Sequence, residues 1–584
     1  MAKGSLIGDA AWVVRLGFRA SPLFSIISTV LLLIASVIPA LNVAVVKAIA
    51  NNMSQAGSPV GLVIACGVVF GFGNAFVQAA NSISRINAIR INVYSAGLFD
   101  ARLAQTLPSR FEVPDFMRSV RNALSSVVQG YPSSQFQATV NIACALVTAV
   151  SLALALWGYS PRAAIVSLFA PVPTAIAFGW YGKQESRFWP VSSEHDRRAT
   201  YLEDQLAYAN PGFELALIKS LPTFRDLARE SRRAFQRVRL TLEGKSILSD
   251  SIAGIATTVL FCLALTFLYI DSVAVSGSLF AGLVGLMSGV SAMAGVGYQI
   301  GELLSSMPAN RYLRTFLDME EKPQLSVTGS ACTDTEQAQL AVRDLTVRYG
   351  HTTAVDSVSF TINFGQMVAI VGENGSGKTS LLKALMNVQP DASGMVRIGG
   401  ATIDLSADSQ LTYPFAVLKQ DFSRYEVTVR EFVSLGVDIS QRSDEKIWNA
   451  LAVAEADGFV SRLDNGLDTL LGTQWGGVEL SGGQWQRLAI ARVVLSDLPL
   501  WYLDEPTSAI DALAEESIIN RLADEAKRRI VVVTSHRVAA LRSVDYIYVL
   551  KAGRIVESGT FDQLLAGQTE FRRMFAAQLD VSGS

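Results

Sequence analysis

Charge is scarce in this 584-residue chain: Asp, Glu, Lys and Arg make up only 17% of it, against 50% hydrophobic residues, and the mean hydropathy is +0.32. A disordered chain needs the reverse balance, so that class is excluded. An ordinary soluble enzyme is disfavoured on the same ground. The 49 Lys and Arg nearly cancel the 51 Asp and Glu, leaving a formal net charge of −2, which gives no general attraction for a nucleic acid. Cysteine is nearly missing. Cys66, Cys144, Cys262 and Cys332 stand far apart with no CxxC pair, so neither a zinc site nor a disulfide framework is expected. Three of them lie in apolar runs, where a cysteine is a small hydrophobe. Only three histidines occur. The length, about four times that of a usual domain, implies more than one domain.

The hydrophobic excess is concentrated in the first half. Residues 21–46, 57–84, 122–161, 163–182, 251–270 and 272–301 contain no Asp, Glu, Lys or Arg. Each is at least as long as the ~20 residues a helix needs to cross the hydrocarbon of a bilayer. The reading is six transmembrane helices, near 22–46, 59–82, 134–157, 163–182, 250–270 and 276–300, within a membrane domain of residues 1–315. The first run is too long for a cleaved signal and lacks an A-x-A-like exit. Between the second and third spans lie Arg85, Arg90, Arg102, Arg110, Arg118 and Arg121. The segment between the fourth and fifth is richer still in Arg and Lys, while the other connections offer little beyond Lys47 and Arg162. The positive-inside rule places both charged segments and both termini in the cytoplasm. Their composition suits helices continuing out of the membrane, each interrupted by a proline-bearing turn, at 107–116 and 210–215. A short helix across such a tip is suited to touch a cytoplasmic domain.

Residues 316–337 read as a linker, rich in Ser, Thr, Gly and Asp. From 338 the pattern changes. Residues 340–349 and 355–362 have near period-two apolar spacing, and short strands then alternate with helical stretches, as in an α/β domain.

The chemistry lies in this second part. Gly372, Glu373, Asn374, Gly375, Ser376, Gly377, Lys378 and Thr379 fit G-x-x-x-x-G-K-[ST]; an apolar strand precedes them, and Ser380 with the run 381–386 continues as a helix. Such glycines let backbone N–H groups curl around phosphate oxygens at a positive helix end. Lys378 can reach the β and γ phosphates of a nucleotide, and the Thr379 hydroxyl can hold Mg²⁺. Downstream, an apolar strand ends in Asp504 and Glu505. A buried strand avoids such an ending unless the charge is used. Asp504 is expected to hold Mg²⁺, directly or through water, and Glu505 to accept a proton from the attacking water. Ser481, Gly482, Gly483 and Gln484 open a further helix and make a second anion-binding tip. If that tip cannot reach the first nucleotide within its own domain, two copies facing each other could close on two nucleotides.

This order of motifs resembles the nucleotide-binding domain of ABC transporters, in which the run Leu480–Gln484 is the signature. The resemblance implies further roles: Tyr349 stacks on adenine, Gln420 contacts Mg²⁺ and senses the membrane domain, Ser508 to Asp511 couple two sites across a dimer, and His536 contacts the γ-phosphate. Six spans, two cytoplasmic excursions and a C-terminal α/β P-loop ATPase domain (338–584) are the layout of an exporter-type half-transporter, whose tips, here near Pro114 and Gly212, are coupling helices. The residues around Gln420 and the signature look most like bacterial lantibiotic and bacteriocin peptide exporters. No peptidase domain precedes the first span, so leader cleavage is not expected. Gln474 and Trp475 stand where many exporters carry an acidic loop.

The expectation is therefore an ATP-driven exporter in the cytoplasmic (inner) membrane, dependent on ATP and Mg²⁺. It acts as a homodimer or with a related half-transporter, and its cargo is hydrophobic or amphipathic, a peptide among the candidates. A multidrug or lipid exporter or flippase, and an importer on the same fold, stay open. The charge-free runs hold no candidate for a membrane-embedded ion relay. Asn42, Gln78, Asn81, Gln135, Gln137, Asn141 and Gln299 either line a neutral cavity or bond between helices.

Overall fold

The computed structural model describes residues 6–53, 60–272, 276–319, 325–326, 339–389, 391–399, 401–405, 411–412, 414–438 and 442–581. The chain divides into two compact units, Met1–Thr106 with Pro114–Glu320, and Leu107–Val113 with Glu321–Ser584.

In the first unit every described element is a helix. Val60–Ala104, Leu221–Ser272 and Ser276–Leu317 run for 45, 52 and 42 residues. At 1.5 Å per residue they are roughly 63–78 Å long, about twice the hydrocarbon thickness of a bilayer. Among the described residues, four stretches are long and apolar enough to cross a membrane: Pro22–Val46, Tyr131–Trp157, Pro161–Trp189 and Leu221–Asp271. The other two expected spans, near 59–82 and 276–300, fall on the long helices Val60–Ala104 and Ser276–Leu317. The first expected span is two helices, Pro22–Ala35 and Ile38–Met53. Pro39 explains the break, because it has no N–H for the carbonyl four residues back and its ring crowds that turn.

Short helices occupy both excursion tips: a 3₁₀ turn at Pro108–Glu112 and a helix at Ala209–Leu217. The long helices of the second excursion are joined by ion pairs. Arg232 reaches Asp196 at 2.7 Å and Glu203 at 2.5 Å, and Arg239 reaches Glu185 at 2.7 Å. Two of the polar residues in the spans prove to be interhelical ties. Gln135 is fully buried and bonds Asn310, which also accepts from Ser126 at 2.8 Å; Gln137 donates to the Ser84 carbonyl at 3.2 Å. The amphipathic helix Leu6–Ala20 is held by the buried Asp9, which Arg311 approaches to 2.6 Å.

The second unit is built on two sheets. A six-stranded sheet has the order Arg554–Gly559, Tyr546–Lys551, Met367–Val371, Ile530–Thr534, Leu500–Asp504, Ala416–Leu418; all its pairings are parallel except the first. A four-stranded antiparallel sheet has the order Thr352–Asn363, Gln339–Tyr349, Ala392–Ile398, Ala401–Asp404. The central strands are apolar throughout because both faces are covered, and successive side chains serve opposite cores. Met367, Ala369, Val371 and Trp501 pack against the helical layer that includes Trp485 and Leu488. Val368, Ile370 and Tyr502 face the second core with Leu340, Val342 and Phe360 of the antiparallel sheet. Most of the expected linker 316–337 lies outside the described residues; Leu325–Ser326 pairs in parallel with Leu411–Thr412.

Candidate functional site

The parallel strands of the larger sheet all end on one edge, where ligands of open α/β sheets bind. After Met367–Val371 the chain turns through the glycine loop into the helix Lys378–Leu385, with Gly377 as its N-cap at φ +105. A Cβ at Gly377 would lie 2.3 Å from the Ala354 carbonyl oxygen, so only glycine fits there. Lys378 is 8% exposed, and its Nζ donates to the carbonyls of Gly372 at 2.7 Å and Glu373 at 3.1 Å. Burial pulls the pKa of this ammonium down, against the charges of Glu505 and Asp504. Tyr349 ends its strand half-exposed, its hydroxyl tied to Gln389 at 3.1 Å and within 3.3 Å of the Ser380 hydroxyl.

Asp504 and Glu505 follow at the end of the next strand but one. In-register pairing sets Thr534 beside Asp504. The Thr534 hydroxyl donates to Asp504 Oδ1 at 2.6 Å and accepts from the Glu505 amide at 3.0 Å. Glu505 takes a left-handed φ of +49, a strained conformation for a residue with a side chain. One carboxylate oxygen accepts from Gln420 Nε2 at 3.0 Å and the other lies 3.1 Å from His536 Nε2. Partial burial and the charge of Lys378 push the pKa of His536 down, while Glu505 and Asp504 oppose the shift. The structure thus brings Lys378, Asp504, Glu505, Gln420 and His536, far apart in sequence, to one sheet edge.

The second anion-binding tip is elsewhere in the unit. Ser481 caps the helix Gly482–Leu495 in a reciprocal box with Gln484, accepting from its amide at 3.3 Å and donating its own amide to the Gln484 side chain at 2.9 Å. It borders a cavity of about 500 Å³ together with Gly482, Gly483, Arg462, Arg487 and Asp511; no residue of 372–380 lines it. Asp511 caps the following helix through the Ala514 amide at 3.0 Å and pairs with Arg487 at 3.1 Å.

Two supporting residues carried no sequence signal beyond an ordinary polar helix or loop position. Gln486, 2% exposed, bonds the Glu505 carbonyl at 2.9 Å and the Ala509 amide at 2.8 Å. Arg537 spans from the Ser508 carbonyl at 3.1 Å to the buried Glu515 carboxylate at 2.5 Å. Trp475 of the departing Gln474–Trp475 pair is exposed, and the Gln474 amide bonds Glu426 at 3.0 Å.

The pocket chemistry suits a nucleotide with a divalent cation. The buried Ser376 hydroxyl has no hydrogen-bond partner among the described residues, and the loop around it is shaped by glycines and a buried cation. No group of three or more His, Cys, Asp or Glu side chains forms a metal cage among the described residues. Thr379, Gln420 and Asp504 would hold Mg²⁺ together with phosphate oxygens, the usual arrangement for this ion.

The first unit holds a cavity of about 300 Å³ lined by Phe178, Tyr181, Tyr298 and the carboxylates of Glu185, Glu243, Asp250 and Glu302. It lies at the ends of charge-free stretches. Tyr181 donates to Glu243 at 2.8 Å and Arg239 pairs with Glu185 at 2.7 Å.

Comparison with known proteins agrees with this geometry. Residues 355–508 match the family model described as ABC transporter. An ATP-dependent lipid A-core flippase of Pseudomonas fluorescens (strain Pf0-1) is 37% identical over 268 residues, covering 46% of this chain and 44% of that protein. The mycobactin import ATP-binding/permease protein IrtB of Mycolicibacterium thermoresistibile is 34% identical over 239 residues, 41% of each. The chain spans at most about half the length of the curated relatives it matches. The solved structure of a bacterial Atm1-family ABC exporter with ATP bound superposes with a TM-score of 0.76 at 19% identity, covering 95% of this chain and 98% of that one. The fold is therefore that of an ABC exporter, a helical membrane domain with a P-loop ATPase domain.

Proposed function

We propose that this chain is half of an ATP-driven transporter, which pairs with a second copy, or a related half-transporter, in the cytoplasmic membrane and exports a hydrophobic or amphipathic substrate by alternating access. The observation that carries the reading is the meeting of Lys378, Asp504, Glu505, Gln420 and His536 at one sheet edge. On ATP binding, Lys378 exchanges the Gly372 and Glu373 carbonyls for phosphate oxygens. Tyr349 stacks on the base, and the amides of Gly375 to Thr379 surround the phosphates. Mg²⁺ held by Thr379, Gln420 and Asp504 would supply neutralisation of phosphate charge. Glu505 takes the proton of the attacking water, and the neutral His536 ring donates a hydrogen bond to the γ-phosphate.

The cavity at Ser481 supports pairing, since its phosphate-binding tip shares no lining residue with the glycine loop. In a pair, each nucleotide lies between the Lys378 loop of one copy and the Ser481 helix of the other. ATP drives transport by favouring the closed pair over the open one.

The peptide reading of the cargo has no support in the relatives' names, which concern a lipid A-core and mycobactin; an importer on the same fold is the second reading, favoured by the latter. The acidic, aromatic-lined cavity of the first unit favours a cargo that joins an apolar body to a positive charge.

Mixing two inactive variants tests the pair. Lys378→Ala and Ser481→Arg, each dead alone in proteoliposomes, should recover about a quarter of the active sites when co-reconstituted after subunit exchange, because a mixed pair keeps one intact site. No recovery in verified mixed pairs would overturn the shared site.

A further inference from the structure

We infer that Gln578, on the last described helix, is a positioning residue for His536. The helix Glu570–Val581 is docked firmly. Its first amides are capped by Glu557, whose carboxylate accepts from Glu570 N at 2.6 Å and Phe571 N at 3.0 Å. Phe571 and Phe575 are buried, with ring centroids 4.9 Å apart, and Phe561 packs edge-on against Phe571 at 5.8 Å. Residues 571, 575 and 578 follow one helix face at spacings of four and three. The stripe that docks the helix therefore delivers Gln578 to the histidine loop.

There the side-chain amide makes two bonds to the backbone on either side of Arg537. Its Nε2 donates to the His536 carbonyl at 2.9 Å, and its Oε1 accepts from the Val538 amide at 3.0 Å. Val538 opens a four-residue helix with no side-chain cap, so Gln578 supplies the acceptor that helix start lacks. Arg537 is tied from the other side to Ser508, Ile510 and Glu515. These ties hold the backbone from which the His536 ring reaches Glu505. Undocking the helix would release the loop without touching the nucleotide, so the helix is a natural place for control of turnover.

The inference rests on the proposed ATPase reading; if the unaltered protein hydrolyses no ATP, that reading fails, and the inference with it. With an active protein in proteoliposomes, Gln578→Ala should lower kcat about fivefold and leave the KM for ATP within about twofold, the expected cost of two modest hydrogen bonds that orient a reacting group. Gln578→Glu keeps the acceptor for Val538 but loses the donor to His536, and should fall between the two. On a His536→Ala background, Gln578→Ala should have no further effect on residual turnover. Unchanged kcat in Gln578→Ala, a change confined to KM, or an equal loss with His536 already removed would each overturn the assignment. Where the His536→Ala background turns over too slowly to measure, the graded order of the two Gln578 variants decides.

Discussion

His536 Nε2 lies 3.1 Å from one oxygen of Glu505, and Gln420 Nε2 lies 3.0 Å from the other. Both oxygens of the expected base are thus engaged. Each oxygen keeps a further lone pair for a water to be activated, so the expected base can accept a proton while both neighbours hold its orientation.

Replacing Glu505 by Gln keeps the shape and removes the base. ATP should still bind, while steady-state hydrolysis falls at least about a hundredfold, the usual worth of a positioned general base. Nucleotide binding and turnover in the same proteoliposomes check this. Turnover near the unaltered rate would refute the role of Glu505.

His536 predicts the acid limb. Burial and the Lys378 charge hold its pKa below the ordinary value, about 6.5. The neutral ring is then the form present at pH 7 and slightly below. kcat should be flat from pH 8 to about 6.5 and fall only at lower pH. The unfolded chain takes up this proton more readily than the folded one, so stability also declines as pH drops through that window. Since Glu505 opposes the shift, Glu505→Gln should move the titration of the ring still lower, as followed by NMR of labelled histidine.

Gly377→Ala meets two obstacles: a φ of +105 and an added Cβ 2.3 Å from the Ala354 oxygen. Strain of this kind costs about 1–3 kcal/mol and shifts the amides that would face phosphate. ATP affinity should drop at least about tenfold. Equilibrium binding of a fluorescent ATP analogue measures it, and an unchanged affinity would show that the loop tolerates a side chain.

The cavity of the first unit makes a prediction about cargo. Glu302→Gln should raise the concentration of an amphipathic amine needed to stimulate ATPase activity, by about fivefold, while leaving the response to a neutral lipid-like compound unchanged. Equal shifts for both compounds would remove charge from the account of selectivity.

Local pattern alone determined a good deal. Charge-free runs, the glycine loop, the carboxylate pair at a strand end and the signature turn are contiguous stretches whose chemistry depends on neighbours in sequence, so each could be read before any fold was known. Six of the site residues, Lys378, Thr379, Gln420, Asp504, Glu505 and His536, were named from such stretches and from the resemblance they carry. What only the tertiary structure decided is how residues separated by tens or hundreds of positions meet. Thr534 locks Asp504 through strand register, Gln486 and Arg537 brace the loops after Glu505, and Gln578 reaches back across the unit to His536; an isolated polar residue has no periodicity to betray its partner. The same holds for the membrane half. Stretches without charge are visible as such, but the gathering of Glu185, Glu243, Asp250 and Glu302 depends on three helices packing side by side, and Pro39 splits a run that hydropathy reads as continuous. Short-range pattern records local geometry, and long-range meetings are set by packing.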